Sequence, residues 1–207
     1  MSTAPSPPTR LTILLPAGRL PLPVMEKSLE LAKRHGLEVY VSTAQNLRLM
    51  GFEPEALVAA REELAALGVE FKGPGKFPIP RVCIGKRDCT TGIQDPAELS
   101  ARLLAHFQGR GPFKPKVKIA ISGCPLCCSG VKTTDIGLMG TKNGFDIYVG
   151  GKGGFSPKVG RRIVRNADVE TVLRTVETIF AYHDRKTEKK QRLAKLIDEP
   201  DFPFPEV

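Results

Sequence analysis

Several sequence features that are typical of other classes of protein are scarce or absent. Trp does not occur, only three Tyr occur among 207 residues, and no apolar run approaches the ~20 residues of a membrane-spanning helix. The first ten residues are polar and rich in proline, and the apolar stretch after them is interrupted at Pro16, unlike a signal peptide. We therefore expect a cytoplasmic protein with no membrane span and a disordered segment over residues 1–10.

The charge of the chain is positive, and its basic side chains are dispersed. Thirty-one Lys and Arg against twenty-two Asp and Glu give a net charge of +9 at pH 7, which attracts anions. The shortage of Trp and Tyr, and the lack of a basic stripe outside residues 186–195, disfavour nucleic acid as the partner. A polycarboxylate cofactor, a small oxyanion or an acidic protein such as a ferredoxin fits better. A surface with excess lysine and no such partner is the alternative.

The first third of the chain has the pattern of a small mixed unit. Over residues 11–71, hydrophobic periodicity predicts a strand, a helix, a strand or hairpin, a second helix and a last strand. That order is typical of a ferredoxin-like α+β fold. Prolines and glycines then cluster at residues 72–80, which predicts a loop and a domain boundary.

The remaining residues predict a second α/β domain. We expect a helix over 96–107 capped by Asp95, and helices over 159–165 and 169–183. We also expect strands over 135–139 and 145–149, and a half-buried strand over 116–122. The predicted division is a ferredoxin-like half-domain at 11–74, an α/β domain at 75–185 and a charged, proline-rich tail at 186–207.

Five cysteines fall in two groups, Cys83-Ile-Gly-Lys-Arg-Asp-Cys89 and Cys124-Pro-Leu-Cys-Cys128. An odd count in a chain expected to be cytoplasmic disfavours disulfides and indicates metal binding. Thiolates suit zinc or an iron–sulfur cluster, and the five-residue gap in the first group is wider than structural zinc sites use. Either Cys127 or Cys128 is expected to be a buried spare thiol, and a zinc pair of Cys124 and Cys127 is the alternative.

Two further motifs follow the cysteines, Asp135-Ile-Gly-Leu-Met-Gly140 and Tyr148-Val-Gly-Gly-Lys-Gly-Gly154. In this order the motifs resemble the cluster-bearing region of siroheme-dependent sulfite and nitrite reductases. Upstream, Pro16-Ala-Gly-Arg-Leu20 and Ser42-Thr-Ala-Gln-Asn-Leu47 resemble the ferredoxin-like half-domain that precedes the cluster region in that family. The resemblance extends from residue 11 to residue 183.

The resemblance implies an enzyme that reduces sulfite to sulfide or nitrite to ammonia, with electrons from ferredoxin or another low-potential donor. Its implied cofactors are siroheme, bridged through Cys128 and contacted by Gln45 and Asn46, and a 4Fe–4S cluster. The implied cluster ligands are Cys83, Cys89, Cys124 and Cys128.

The chain departs from the large members of that family because it contains the unit once. In those enzymes a second repeat supplies much of the basic cage around substrate and siroheme. A symmetric partner, a second subunit or local residues would have to replace it, and the local candidates are Lys152, Arg19, Arg48 and Lys132. Lys152 is preferred because its glycine-rich turn allows close approach of a ligand. For each of the four residues, the alternative is a solvated surface charge with no ligand. Short single-unit reductases of the assimilatory type are known in the family, and an electron-transfer protein or subunit that has lost siroheme is the alternative.

Overall fold

In the computed structural model, which describes residues 9–188 and 191–207, the chain divides into two units, Met1–Gly73 and Pro74–Val207. Most of the predicted disordered segment, residues 1–8, lies outside the described residues, and Arg10 already begins the first strand. No helix within the described ranges has the length and the apolar character to cross a bilayer.

The first unit is an antiparallel sheet of three strands with two helices. Its elements are β1 (Arg10–Leu14), α1 (Leu22–His35), β2 (Glu38–Val41), β3 (Asn46–Met50) and α2 (Pro54–Ala65). The strand order is β1-β3-β2, and Leu11, Ile13, Leu31, Leu49 and Leu64 lie in one buried core. The last predicted strand is reduced to a single bridge between Ile13 and Phe71. The predicted α+β class is confirmed.

The second unit is built on a five-stranded mixed sheet. Its elements are β4 (Arg81–Val82), α3 (Pro96–Phe107), β5 (Ile119–Ser122), β6 (Ile136–Thr141), β7 (Gly144–Val149), β8 (Arg161–Ala167) and α4 (Val169–Lys186). The strand order is β4-β5-β6-β7-β8. β4, β5 and β6 run parallel, whereas β7 and β8 continue the sheet in antiparallel fashion. Asp95 caps α3 as predicted, because its side chain accepts hydrogen bonds from the amides of Ala97 and Glu98.

Two predictions for this unit are wrong. The predicted helix over 159–165 is instead the strand β8, which pairs with β7 and buries Ile163 and Ala167. The edge of β7 needs a partner for its backbone groups, and the β-branched pair Ile163 and Val164 suits a strand, so tertiary pairing outweighs a short helical pattern. The strand β5 is buried at every position rather than on one face, because a parallel strand inside a sheet is covered on both sides.

Within the tail predicted over 186–207, Lys186 ends α4, and residues 191–207 pack on the rest of the second unit; we call residues 191–207 the C-terminal strap. The strap buries three apolar side chains, those of Leu193, Leu196 and Ile197. The strap also reaches a buried carboxylate, since the Arg192 Nε lies 2.7 Å from Asp135 Oδ1 and Asp135 has no exposed surface. Burial raises the pKa of Asp135 above its ordinary value, and the Arg192 guanidinium counteracts part of that rise.

The ion pair between Arg192 and Asp135 predicts an asymmetric response to mutation. Arg192→Ala should lower the free energy of unfolding by roughly 3 kcal/mol, because it leaves a buried carboxylate without its counter-charge. Adding Asp135→Asn to this variant should restore most of the loss. Urea unfolding followed by circular dichroism measures both changes.

Lys186→Ala is the matched control for that experiment. It removes an ion pair with Asp201, in which both side chains are partly exposed, and should cost less than about 1 kcal/mol. Equal losses in the Arg192 and Lys186 variants would contradict the assigned role of the buried pair.

Candidate metal centre

The sheet brings one cysteine from each group to the same edge. Cys83 directly follows β4, and Cys124 follows the neighbouring strand β5 after one glycine. β4 and β5 are parallel, so their carboxyl ends lie side by side, which is where α/β sheets bind their ligands. The Cys83 amide donates a hydrogen bond to the Ile121 carbonyl at 3.2 Å, and the Gly123 amide donates to Cys83 Sγ at 3.2 Å.

The loop after Cys83 folds back over Gly123 and carries Cys89 with it. The amides of Ile93 and Gln94 both donate to the Gly123 carbonyl at 2.9 Å. Within this loop the Thr91 hydroxyl lies 3.2 Å from Cys89 Sγ and 4.0 Å from Cys124 Sγ. Its hydrogen bond lowers the pKa of the Cys89 thiol below the ordinary value. A lowered pKa favours the thiolate, which is the form that binds metals.

Four glycines allow these loops to lie backbone against backbone. A Cβ atom on Gly123 would lie 2.8 Å from the Gln94 carbonyl oxygen and 3.0 Å from the Cα of Gly85. A Cβ on Gly92 would lie 2.5 Å from the Lys86 nitrogen, and one on Gly140 would lie 2.7 Å from the carbonyl carbon of Gly123. No other residue fits at these contacts. No local pattern predicts this packing, and the glycines within and beside the cysteine motifs are its signal in the sequence.

The adjacent residues Cys127 and Cys128 face different surroundings. Cys127 has a left-handed backbone with φ 57°, and its Sγ lies 3.4 Å from Met139 Sδ beside the buried cluster of Ala120, Val131, Met139 and Tyr148. Burial raises the pKa of the Cys127 thiol, which keeps it protonated. Cys128 is exposed, whereas Cys124 is buried.

Polar contacts close the base of the loop that carries these three cysteines. The hydroxyls of Ser122 and Ser129 are 2.6 Å apart, and the Ser129 hydroxyl also donates to the Ile121 carbonyl at 2.8 Å. Arg81 on β4 donates from Nε to the Ser129 carbonyl at 2.6 Å. The loop is therefore held at its base by contacts within the protein.

The donor chemistry of this edge fits an iron–sulfur cluster. Thiols from two converging loops supply the donors, and a backbone amide donates a hydrogen bond to one sulfur, a contact that tunes the reduction potential of such clusters. Within residues 9–188 and 191–207, no three His, Cys, Asp or Glu side chains form a site for a single metal ion.

Of the four predicted basic residues, two lie close together in the second unit. Lys132 is exposed, with its Nζ 5.6 Å from the centroid of the Tyr148 ring. Lys152 is half-buried and exchanges backbone hydrogen bonds with Lys158 at 2.9 and 2.8 Å. The two segments run side by side, because a Cβ on Gly151 would lie 2.5 Å from the Lys132 carbonyl oxygen.

The other predicted contacts lie in the first unit. Gly18 packs against the side chain of Gln45, so the segments that carry Arg19 and Gln45 are neighbours. Asn46 is buried, and Arg19 is exposed. The Arg48 guanidinium lies 5.7 Å from the ring centroid of Tyr40, and its buried Nε makes no hydrogen bond. The predicted site residues therefore form two groups, one in each unit.

The glycine packing predicts a sensitive position that lies outside the cysteines. Gly123→Ala should lower the iron and acid-labile sulfide bound per chain at least about threefold, because the added methyl group separates the two cysteine loops. Metal and sulfide analysis of the purified protein measures this. Gly73→Ala is the control, because a Cβ there meets nothing within 4 Å. An unchanged iron content in Gly123→Ala would contradict the packing argument.

Comparison with known proteins agrees with this geometry. Residues 79–202 match the nitrite and sulphite reductase 4Fe-4S domain, and residues 9–67 match the nitrite/sulfite reductase ferredoxin-like half domain. The large subunit of an NAD(P)H nitrite reductase from Klebsiella oxytoca is 31% identical over 172 residues, which are 82% of this chain and 18% of that subunit. An assimilatory-type sulfite reductase from Nitratidesulfovibrio vulgaris is 27% identical over 184 residues, 88% of this chain and 84% of that protein.

The solved structure of the NirA protein of Mycobacterium tuberculosis has the same fold. It superposes with a TM-score of 0.73 at 19% identity, covering 91% of this chain and 37% of that one. The chain thus spans less than a fifth of the Klebsiella subunit but most of the N. vulgaris protein. The predicted resemblance is confirmed, and the chain belongs to the nitrite and sulfite reductase family, with a ferredoxin-like half-domain followed by the 4Fe–4S domain.

Proposed function

We propose that this protein is an oxidoreductase that reduces sulfite or nitrite with a 4Fe–4S cluster and siroheme. The main support is the convergence of the two cysteine groups at the edge formed by β4 and β5. The N. vulgaris relative, a sulfite reductase of assimilatory type that this chain covers over 84% of its length, supports a single-unit enzyme.

In this proposal the cluster ligands are Cys83, Cys89, Cys124 and Cys128. The position of Cys127 against Met139, where burial raises the pKa of its thiol, supports its exclusion from the ligand set. The exposure of Cys128 supports its proposed role as the bridge to siroheme, because an exposed cysteine is accessible to siroheme as well as to the cluster.

When bound, the two cofactors would supply the electron-transfer chemistry that reduces the oxyanion. The residues of this chain prepare the site for that chemistry. The Gly123 amide donates to Cys83 Sγ and so stabilises negative charge on the sulfur, while Thr91 does the same for Cys89. The Lys152 and Lys132 ammonium groups would neutralise the oxyanion and the carboxylates of the macrocycle.

Four residues of the first unit are also proposed as contacts to the cofactor or the anion. Arg19 and Arg48 are proposed as further cationic contacts, and Gln45 and Asn46 as contacts to siroheme. The buried, unbonded Nε of Arg48 supports this role for Arg48, because it is a donor available to an anion. A second copy of the chain or another subunit would complete the cage. Ferredoxin or another low-potential donor would supply the electrons, and a cytoplasmic location stays a prediction.

An anaerobic visible spectrum, with iron and acid-labile sulfide analysis, tests the proposed function. Protein made in cells that synthesise siroheme should contain about four cluster irons and one siroheme per chain and should oxidise a reduced viologen dye when sulfite or nitrite is added. Cluster iron without siroheme bands would instead indicate an electron-transfer protein. The absence of iron would exclude both functions.

The ligand assignment predicts different effects for two neighbouring cysteines. Cys128→Ser should abolish the siroheme bands and reductase activity, with loss or destabilisation of the cluster. Cys127→Ser, the matched control, should retain the iron content and activity of the unmodified protein. Electron paramagnetic resonance of the reduced proteins, together with metal analysis, measures both. Loss of the cluster in Cys127→Ser but not in Cys128→Ser would overturn the assignment.

A further inference from the structure

The loop that carries Lys152 has little internal structure to hold it in place. Residues 150–160, which we call the lysine loop, include the glycines 150, 151, 153, 154 and 160. Glycine loses more conformational freedom on ordering than any other residue. The tip of the loop has no support, because Phe155 is fully exposed. Apart from the two backbone hydrogen bonds between Lys152 and Lys158, the order of the loop depends on contacts at its two ends.

The C-terminal strap packs against the start of the lysine loop. Ile197 is 2% exposed, and its Cδ1 lies 2.4 Å from the position that a Cβ on Gly150 would take. Ile197 thus fills the space that the missing side chain of Gly150 leaves. Gly150 also has a left-handed backbone with φ 76°, so this turn and this contact both require glycine.

The same strap contacts the far end of the loop. The Asp198 carboxylate lies 3.2 Å from Lys158 Nζ and 3.8 Å from the Arg161 guanidinium. Lys158 in turn exchanges two backbone hydrogen bonds with Lys152. A residue of the strap that holds Lys158 therefore also restrains the backbone of Lys152.

A third contact connects the strap to the residue on which the loop begins. The Gly150 amide donates to the carbonyl of Asp135 at 2.9 Å, and the side chain of Asp135 is held by Arg192. Ile197 and Asp198 thus contact the lysine loop directly, and Arg192 is connected to it through Asp135. Leu196, the residue before Ile197, makes a different contact, because its carbonyl accepts a hydrogen bond from the Tyr182 hydroxyl of α4.

We propose that the C-terminal strap is a positioning element for Lys152, with Ile197 and Asp198 as its positioning residues. The strap orders the lysine loop and so holds the Lys152 ammonium where it meets the anionic ligand. The ordering is a property of the fold alone. Its consequence for anion binding rests on the proposed function.

Hydrogen exchange of the full-length holoprotein, read by mass spectrometry on peptides that cover residues 150–160, tests the ordering. Ile197→Ala should accelerate exchange of the Lys152 and Lys158 amides about tenfold. Leu196→Ala is the matched control, because Leu196 is also buried in the strap and its variant should leave exchange in the loop unchanged. Unchanged exchange in Ile197→Ala, or equal acceleration in both variants, would overturn the proposal.

A second pair of variants covers the case in which Ile197→Ala does not fold. Asp198→Asn removes the contact with Lys158, whereas Asp201→Asn removes a strap ion pair with Lys186 on α4 that does not reach the loop. Exchange at residues 150–160 should increase in the first variant only. Equal exchange rates in the two variants would count against the proposal.

Steady-state kinetics with sulfite and nitrite test the consequence for anion binding. Asp198→Asn should raise KM several-fold with little change in kcat, and Asp201→Asn should alter neither constant. A fall in kcat with KM unchanged would contradict a role in positioning the anion contact. If the unmodified protein reduced neither anion, the proposed function would fail, while the hydrogen-exchange result would still decide whether the strap orders the loop.

Discussion

Direct contact between backbones at the carboxyl edge of β4 and β5 is the constraint on which the candidate metal centre depends. Gly85, Gly92, Gly123 and Gly140 occupy points where a methyl group would overlap a neighbouring main chain. Because no side chain separates them, the Cys83–Cys89 loop rests on the residue that precedes Cys124. At this contact the amides of Ile93 and Gln94 donate to the Gly123 carbonyl, and the Gly123 amide donates to Cys83 Sγ. The packing therefore both assembles the ligands and provides hydrogen bonds that stabilise thiolates.

The mixed sheet divides the second unit into two regions, each of which holds candidate site residues. Its parallel half, β4 to β6, presents the cysteine loops at one edge, and its antiparallel half, β7 and β8, leads into and out of the lysine loop. β6 belongs to both, since it contacts the cysteine loop through Gly140 and pairs with β7 along its length. The thiols and the cations of the second unit are thus held by one continuous hydrogen-bonded structure.

The strap extends that structure beyond the sheet. Its buried ion pair with Asp135 is costly to form because a carboxylate leaves water, and it is stable only while Arg192 is present. Such a pair adds little net stability by comparison with apolar packing, but it specifies where the strap lies. The register of the strap in turn decides which side chain meets Gly150 and which meets Lys158.

The sequence by itself determined much of this protein. Cysteine spacing and the order of the glycine motifs identified the family and the cofactor class, and a local signal was sufficient for Asp95 as the cap of α3. Tertiary structure alone decided that residues 161–167 form a strand, that Cys127 faces the core, and that residues 191–207 pack on the sheet. The physical reason is the separation along the sequence of the residues that interact. Helix caps and metal-ligand spacings involve residues that are close together in the sequence. Strand pairing, the direction of a side chain in a left-handed turn and the packing of Ile197 on Gly150 depend on residues that only the folded chain brings together.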